Sequence, residues 1–380
     1  MGKVFVFSAK NYEYLEVKNA VYGILNGAKL NRKISLGKKA VIKANLLMKK
    51  SPEDAVTTHP VVIRAIAEYL MELGAQVLIA DSPAGPFTPA ALKGIYEACG
   101  MLQAARKTGA KLNYDTDYTE VNHPEAFCLK RFDVINPILE ADYVISAAKL
   151  KTHGMMTFTG AVKNLFGVIP GLTKAEYHFK LSDKEVFAHH LIDIERFVKP
   201  VFSIIDAVDC MEGNGPSNGK KRHVGLILGG ENAYETDFAA ADIASISADL
   251  IPVLTLAEKR GLFSREEVQV EGENYRDRKI PPFQLPNSMD IVFGMSKLPR
   301  PLSRFLLGKL KSKPKFLHEK CISCGHCIRN CPPHIIEMDR KNKPNADLQR
   351  CISCFCCHEV CPADAIEIKR PFLLRLMKKL

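Results

Sequence analysis

At 380 residues, with 47% hydrophobic and 25% charged residues, the chain exceeds one ordinary domain and has the balance of a globular protein with a real core. Its formal net charge of +11 points to anionic partners (acidic proteins, phosphates, acidic lipid or nucleic acid) without choosing among them. No apolar run reaches the ~18 residues of a membrane-spanning helix, and the opening MGKVFVFSAK reads as a buried strand, not as a secretory leader.

Residues 1–290 alternate strand-like and helix-like segments. VFVFSA (4–9) and VIKANLL (41–47) are apolar runs of strand length. PVVIRAIAEYLMEL (60–73) has Pro at its first position and apolar residues at helical spacing, which predicts a helix. Further strands are predicted over AQVLIADS (75–82), DYVISAAK (142–149), VFSIIDAV (201–208) and VGLILGG (224–230). Such alternation predicts an α/β domain with a mainly parallel sheet covered by helices on both faces. Ligands on these sheets sit outside the C-terminal ends of the strands.

Polar residues cluster at those ends. Lys43 and Asn45 leave the second strand, and Asp81 and Ser82 end the third. Lys149, Lys151 and His153 follow the fourth in KLKTHG, and GAVKNLFGVIPG supplies Lys163 and Asn164. Lys43, Lys149, Lys151 and Lys163 can form a cationic pocket for a carboxylate or phosphate, with Asn45 and Asn164 beside them. Taken singly, each lysine is as readily a solvated strand end. His153 is the candidate proton donor or acceptor and Lys151 the second candidate catalytic residue; a loop hydrogen-bonding role for the histidine competes. The loop MEGNGPSNG (211–219) can cradle an anion on backbone N–H groups around Gly213 and Gly215. It lacks P-loop and G-x-G-x-x-G spacing, so a tight turn between two strands is the rival reading. Thr58 or His59 is placed to cap the helix at 60. Asp81, Asp206 and Asp209 are candidates to orient a pocket lysine or histidine. His189 and His190 lie in a helical stretch and point about 100° apart, which rules out a shared metal. Cys99, Cys128 and Cys210 read as packed thiols.

Residues 291–312 read as a basic linker and 370–380 as a basic amphipathic tail. Either can touch acidic lipid or an acidic redox partner, or simply pack along a domain surface. Neither has the aromatic interleaving of a nucleic-acid site.

Nine of the 12 cysteines fall between Cys321 and Cys361, since only Cys99, Cys128 and Cys210 precede them. Cys321, Cys324, Cys327 and Cys331 follow C-x2-C-x2-C-x3-C before Pro332, and Cys351, Cys354, Cys357 and Cys361 repeat the spacing before Pro362. This is the two-cluster ferredoxin run, in which three thiolates on a tight loop hold one iron–sulfur cube and the fourth crosses to the other. The spacing assigns Cys321, Cys324, Cys327 and Cys361 to one 4Fe–4S cluster and Cys351, Cys354, Cys357 and Cys331 to a second. Structural zinc uses separated cysteine pairs and fits poorly. Cys356, beside Cys357, reads as a non-ligand thiol near the cluster, with a shifted-ligand role as the alternative. Residues 313–369 resemble bacterial 2(4Fe–4S) ferredoxin domains, which implies low-potential one-electron carriers.

KAN (43–45), TTHP (57–60), ADSPAG (80–85), KLKTHG (149–154), GAVKNLFGVIPG (160–171) and MEGNGPSNG (211–219) resemble the blocks of the domain-of-unknown-function 362 family over roughly residues 1–260. Members of that family often carry a following two-cluster ferredoxin segment. A more distant likeness, to the fold of nickel-pincer lactate racemases, transfers no cofactor. The expected protein is a cytoplasmic oxidoreductase that takes electrons from a soluble carrier and passes them to a small anionic substrate or cofactor. The alternatives are a non-catalytic electron-transfer or docking subunit and a redox sensor or assembly factor. A deep cleft holding Lys43, Lys151, His153 and Asn164 favours the enzyme; a convex scatter of them favours docking.

Overall fold

The computed structural model describes residues 2–277, 280–287 and 312–369. The predicted linker and tail lie outside these, apart from Ser312, as does the boundary set at residue 290.

A nine-stranded sheet forms the body. Its strands are β1 (Lys3–Ser8), β2 (Lys39–Lys43), β3 (Gln76–Ala80) and β4 (Lys111–Leu112). A separate hairpin, β5 (Tyr118–Asn122) and β6 (Arg131–Ile135), precedes β7 (Tyr143–His153) and its short partner β8 (Thr157–Thr159). The sheet is completed by β9 (Phe202–Glu212), β10 (Lys220–Gly230) and β11 (Gln269–Gly272). The order is β11-β1-β10-β9-β7-β2-β3-β4. Pairings β2–β3, β2–β7, β3–β4 and β7–β9 are parallel, whereas β10 runs against both β9 and β1. The predicted mainly parallel sheet is therefore present with two reversed strands: β10, joined directly to β9 through the 213–219 loop, and short β8, which folds back on β7.

Strand alternation feeds two cores. Ile204 and Ile227 point into one, packed on the helices Tyr14–Gly27 and Pro60–Glu72. Ile205, Leu226 and Leu228 point into the other, packed on Lys184–Val198 and Ala233–Ile243. His59 caps Pro60–Glu72 by accepting the Val61 N–H at 3.3 Å, with Pro60 at the first helical position, so His59 rather than Thr58 takes that role. Thr58 instead binds the Asn45 N–H and the Ala147 carbonyl, tying the exit of β2 to β7.

The cysteine-rich part is small. β12 (Lys313–Phe316) pairs antiparallel with β15 (Ile366–Lys369), and β13 (Ile336–Met338) pairs with β14 (Pro344–Ala346). Each cysteine run contributes one short helix, His326–Arg329 and Cys356–Glu359. The second of these seats on the body: Ser217 Oγ donates to the Glu359 carbonyl at 2.8 Å, and Asn218 Nδ2 to the His358 carbonyl at 3.0 Å.

Candidate functional site

Where the second cysteine run meets the C-terminal ends of β2, β3 and β7, the two parts enclose a chamber of about 720 Å³ of atom-free space, partly open to solvent. Lys43, Asn45, Lys151, His153, Lys163 and Asn164 all line it. Asn330, Cys356, Glu359 and Val360 supply the opposite wall.

The floor is a tied network. Lys43 is fully buried and faces Asp81 Oδ1 at 2.7 Å, the Ala44 carbonyl at 2.7 Å and Asn164 Oδ1 at 3.2 Å. Gly167 permits that ion pair, since a Cβ there would sit 2.2 Å from Asp81 Oδ1 and 2.5 Å from Lys43 Nζ. Asn164 Nδ2 donates to the Lys43 carbonyl and to Ser146 Oγ, both at 3.0 Å. Its short helix starts on Asp237, which accepts the Ala161 and Val162 N–H groups and is pushed up to about 7 by burial. Asn45 links floor to wall: Nδ2 donates to Asn164 Oδ1 at 3.1 Å, and Oδ1 accepts from Lys151 Nζ at 2.7 Å.

Above that floor lie cations with no carboxylate within ion-pair distance among the described residues. Lys151 donates only to Asn45 and the Val56 carbonyl, and burial, with Lys149 and Lys163 nearby, pulls it down to about 7. Lys174 donates to Ser82 Oγ at 3.1 Å and to the Ile169 carbonyl, and burial pulls it to about 7 as well. Half-buried Lys163 stands 5.0 Å from the Phe166 ring and 6.0 Å from the Phe187 ring, its pKa also lowered by burial. His153 Nδ1 accepts the Met155 and Met156 N–H groups at 3.1 and 3.2 Å. Those bonds place the proton of the neutral ring on Nε2, which faces Glu359 Oε1 at 3.3 Å. Burial holds His153 far below its usual range, and raises the Glu359 carboxyl to about 7 against the pull of Lys163 and Lys151. His178, stacked 4.4 Å from Phe187, brings a second buried ring to the chamber with Nδ1 unpartnered.

Three sequence-level expectations are corrected. Lys149 does not line the chamber; it is buried against Asp206 at 2.8 Å and Tyr12 at 2.6 Å, on a network that also holds the His59 N–H. Lys149 and Lys151 would share a face of a regular strand, but the β7–β9 register shifts between them. Asp209 binds His223 and Lys221 outside the chamber. Gly213 and Gly215 do not line it either: the Gly213 N–H donates to the Gln284 carbonyl, that of Gly215 to the Gly213 carbonyl, and a Cβ on Gly215 would meet the Thr152 carbonyl at 2.1 Å. The loop is a packing and docking element, and only Pro216 of it reaches the chamber. Lys174, His178, Asn330 and Glu359 went unforeseen; Lys174 and His178 share a helix, Thr173–Lys180, whose polar sequence carries no ligand spacing.

The cysteines form two further cavities of about 360 and 350 Å³. Cys321, Cys324, Cys327 and Cys361 line one; Cys331, Cys351, Cys354 and Cys357 line the other. The four thiols of each set ring one space, as four thiolates round a 4Fe–4S cube would. Cys356 belongs to neither cavity and faces the chamber instead.

The fold and these cavities define an iron–sulfur protein with an α/β body. The family model described as Domain of unknown function (DUF362) matches residues 40–242, and a 4Fe-4S dicluster domain matches residues 320–365. A thylakoid-associated protein of Synechocystis sp. is 31% identical over 273 residues, 70% of this chain and 81% of that protein. The chain belongs to the DUF362 family and carries a 4Fe–4S dicluster domain on its C-terminal side. Among solved structures, the lactate racemase apoprotein of Thermoanaerobacterium thermosaccharolyticum matches with a TM-score of 0.40 and 14% identity over 65% of this chain and 58% of that one. A Thermotoga maritima protein matches with a TM-score of 0.35 and 12% identity over 67% of this chain and 60% of that one. The chain thus spans less than two thirds of either structure. No helix among the described residues is long and apolar enough to cross a membrane.

Proposed function

We propose that this protein is an oxidoreductase of a reducing compartment such as the cytoplasm, which reduces or oxidises a small multivalent anion held in the chamber. One observation carries the reading: the wall facing Lys151, Lys163 and His153 is built mainly from the second cysteine run, through Cys356, Glu359 and Val360, with Asn330 of the first run beside them. We assign Cys321, Cys324, Cys327 and Cys361 to one 4Fe–4S cluster and Cys331, Cys351, Cys354 and Cys357 to the other. When bound, the two clusters supply electrons one at a time.

The chain's own residues do the rest. Among the described residues Lys151, Lys163 and Lys174 outnumber the one chamber carboxyl that no lysine pairs, Glu359, so the chamber favours a ligand with more than one negative charge. An anion there restores the cations' charge, because an opposite charge offsets their desolvation. Lys43 is already saturated by its three partners and holds the floor rigid. Neutral His153 carries a proton on Nε2 beside Glu359 and faces the ligand space, the position for a hydrogen-bond donor as charge builds on the ligand, and Glu359, raised to about 7, is the neighbouring group that can give up a proton. The flanking Phe166 and the buried floor keep water from that side of the ligand, which strengthens the interactions made there.

The test is reoxidation. Anaerobically reduced holoprotein is mixed with a panel of carboxylates and phosphate esters that can accept electrons, and cluster absorbance is followed. At least one compound should reoxidise it faster than buffer, and Lys163→Met should remove most of that advantage. A panel in which nothing outpaces buffer contradicts the enzymatic reading and leaves an electron-transfer or docking subunit.

A further inference from the structure

The two cysteine loops make the same internal contacts but differ in what covers them. In the first run Ile322 is 64% exposed, and Ser323 and Cys324 are exposed with it. Their counterparts Ile352, Ser353 and Cys354 are half-buried, and the helix that follows them lies against the body. The first loop's side of the domain is ringed by cations. Lys343 Nζ donates to the Cys321 carbonyl at 2.7 Å, and Arg329 Nη2 to the Cys324 carbonyl at 3.0 Å. Ser323 Oγ donates to the Asn342 carbonyl at 2.6 Å, which brings the turn carrying exposed Arg340 and Lys341 against the loop. Lys320 precedes Cys321 and is exposed too. Against these stand Glu319 and Asp339, and the Asp339 carboxylate already accepts the N–H groups of Lys341 and Lys343.

We propose that this exposed loop, with Ile322 at its centre and the Lys320, Arg340 and Lys341 rim, is the docking face for a small acidic one-electron carrier protein. An apolar centre inside a charged rim is the usual anatomy of a protein contact. The complementary charge steers a carrier of opposite sign, and the chain's net charge of +11 acts in the same direction. In each encounter the reduced carrier loses one electron and this protein gains one, with no bond made or broken; two encounters serve a two-electron change of the chamber's ligand. Electrons then enter beside Cys321 and Cys324 and leave beside Cys356. The proposal rests on the two-cluster reading above and is independent of the chamber's ligand.

The experiment is anaerobic stopped-flow mixing of oxidised holoprotein with a reduced, strongly acidic small ferredoxin as the probe. For the unaltered protein the second-order rate should fall steeply with salt. Arg340→Glu/Lys341→Glu changes two exposed side chains of that turn and should slow reduction by the probe at least about tenfold while flattening the salt dependence. Ile322→Asp should slow it at low and high salt alike. Reduction by excess dithionite should reach its original extent in every variant. Probe reduction at an unchanged rate in both variants, or a rate insensitive to salt in the unaltered protein, overturns the docking face. Incomplete reduction by dithionite in the unaltered protein contradicts the two-cluster reading instead, so the two failures are distinguishable.

Discussion

CISCGHCIRNCP and CISCFCCHEVCP fold into the same loop and differ in what they face. Ser323 and Ser353 both adopt left-handed backbone, with φ of 57° and 59°, and each N–H lies 3.4 Å from the sulfur two residues back. Lys343 donates to the Cys321 carbonyl as Lys313 donates to that of Cys351. Two substitutions between the runs change what the loop presents to the body. His326 and Arg329 of the first become Cys356 and Glu359 in the second, and these two line the chamber. Cysteine spacing builds the cavities, and the residues between the cysteines decide which cavity meets solvent and which meets the sheet. That division gives a duplicated module a direction.

The comparison breaks most sharply at the crossing cysteines. Cys331→Ser should remove the cluster built on the second run, and Cys361→Ser the cluster built on the first. Each should lower iron from about eight to about four per chain. Iron analysis combined with electron paramagnetic resonance checks this, and loss of the first-run signal in Cys331→Ser contradicts the crossed assignment. Next in size, Lys151→Met should cut ligand-driven reoxidation by one to two orders of magnitude, roughly the loss of one charged hydrogen bond, while leaving dithionite reduction of both clusters intact. A smaller effect follows from burial. Lys151 and Lys174, both pushed down to about 7, are charged below that pH and neutral above it. Malonate, mostly doubly charged across this range, should therefore bind the chamber best near pH 6 and weaken by pH 8 by up to about tenfold for each of these lysines that the anion needs charged, read by calorimetry. Affinity that rises with pH contradicts the assignment of those lysines to the ligand.

The sheet was legible because its central strands are unbroken apolar runs, as in DYVISAAK and VFSIIDAV. Their extensions to His153 and Glu212 were not, since polar residues continue both strands past the point where hydrophobicity stops. The reversed β10 was hidden for a related reason: its apolar run reads the same in either direction. At the site, Lys43, Asn45, Lys151, His153, Lys163 and Asn164 were legible as polar residues among small ones at strand ends. Lys149 was misplaced because a register shift cannot be read from spacing. Glu359, Asn330 and Cys356 were invisible as chamber residues, because only the docking of one part on the other brings them there. The same docking turned a glycine-rich loop, readable as an anion cradle, into the seat of the second run through Ser217 and Asn218.

The central claim is that the second-run cluster adjoins the lysine chamber and the first-run cluster does not. A redox titration followed by electron paramagnetic resonance, on the unaltered holoprotein and on Lys163→Met, tests it without any ligand. Removing a positive charge beside a cluster makes its reduction harder. The midpoint of the cluster lost in Cys331→Ser should fall by roughly tens of millivolts, with the other fixed. Two unmoved midpoints, or a shift confined to the cluster lost in Cys361→Ser, would contradict the account.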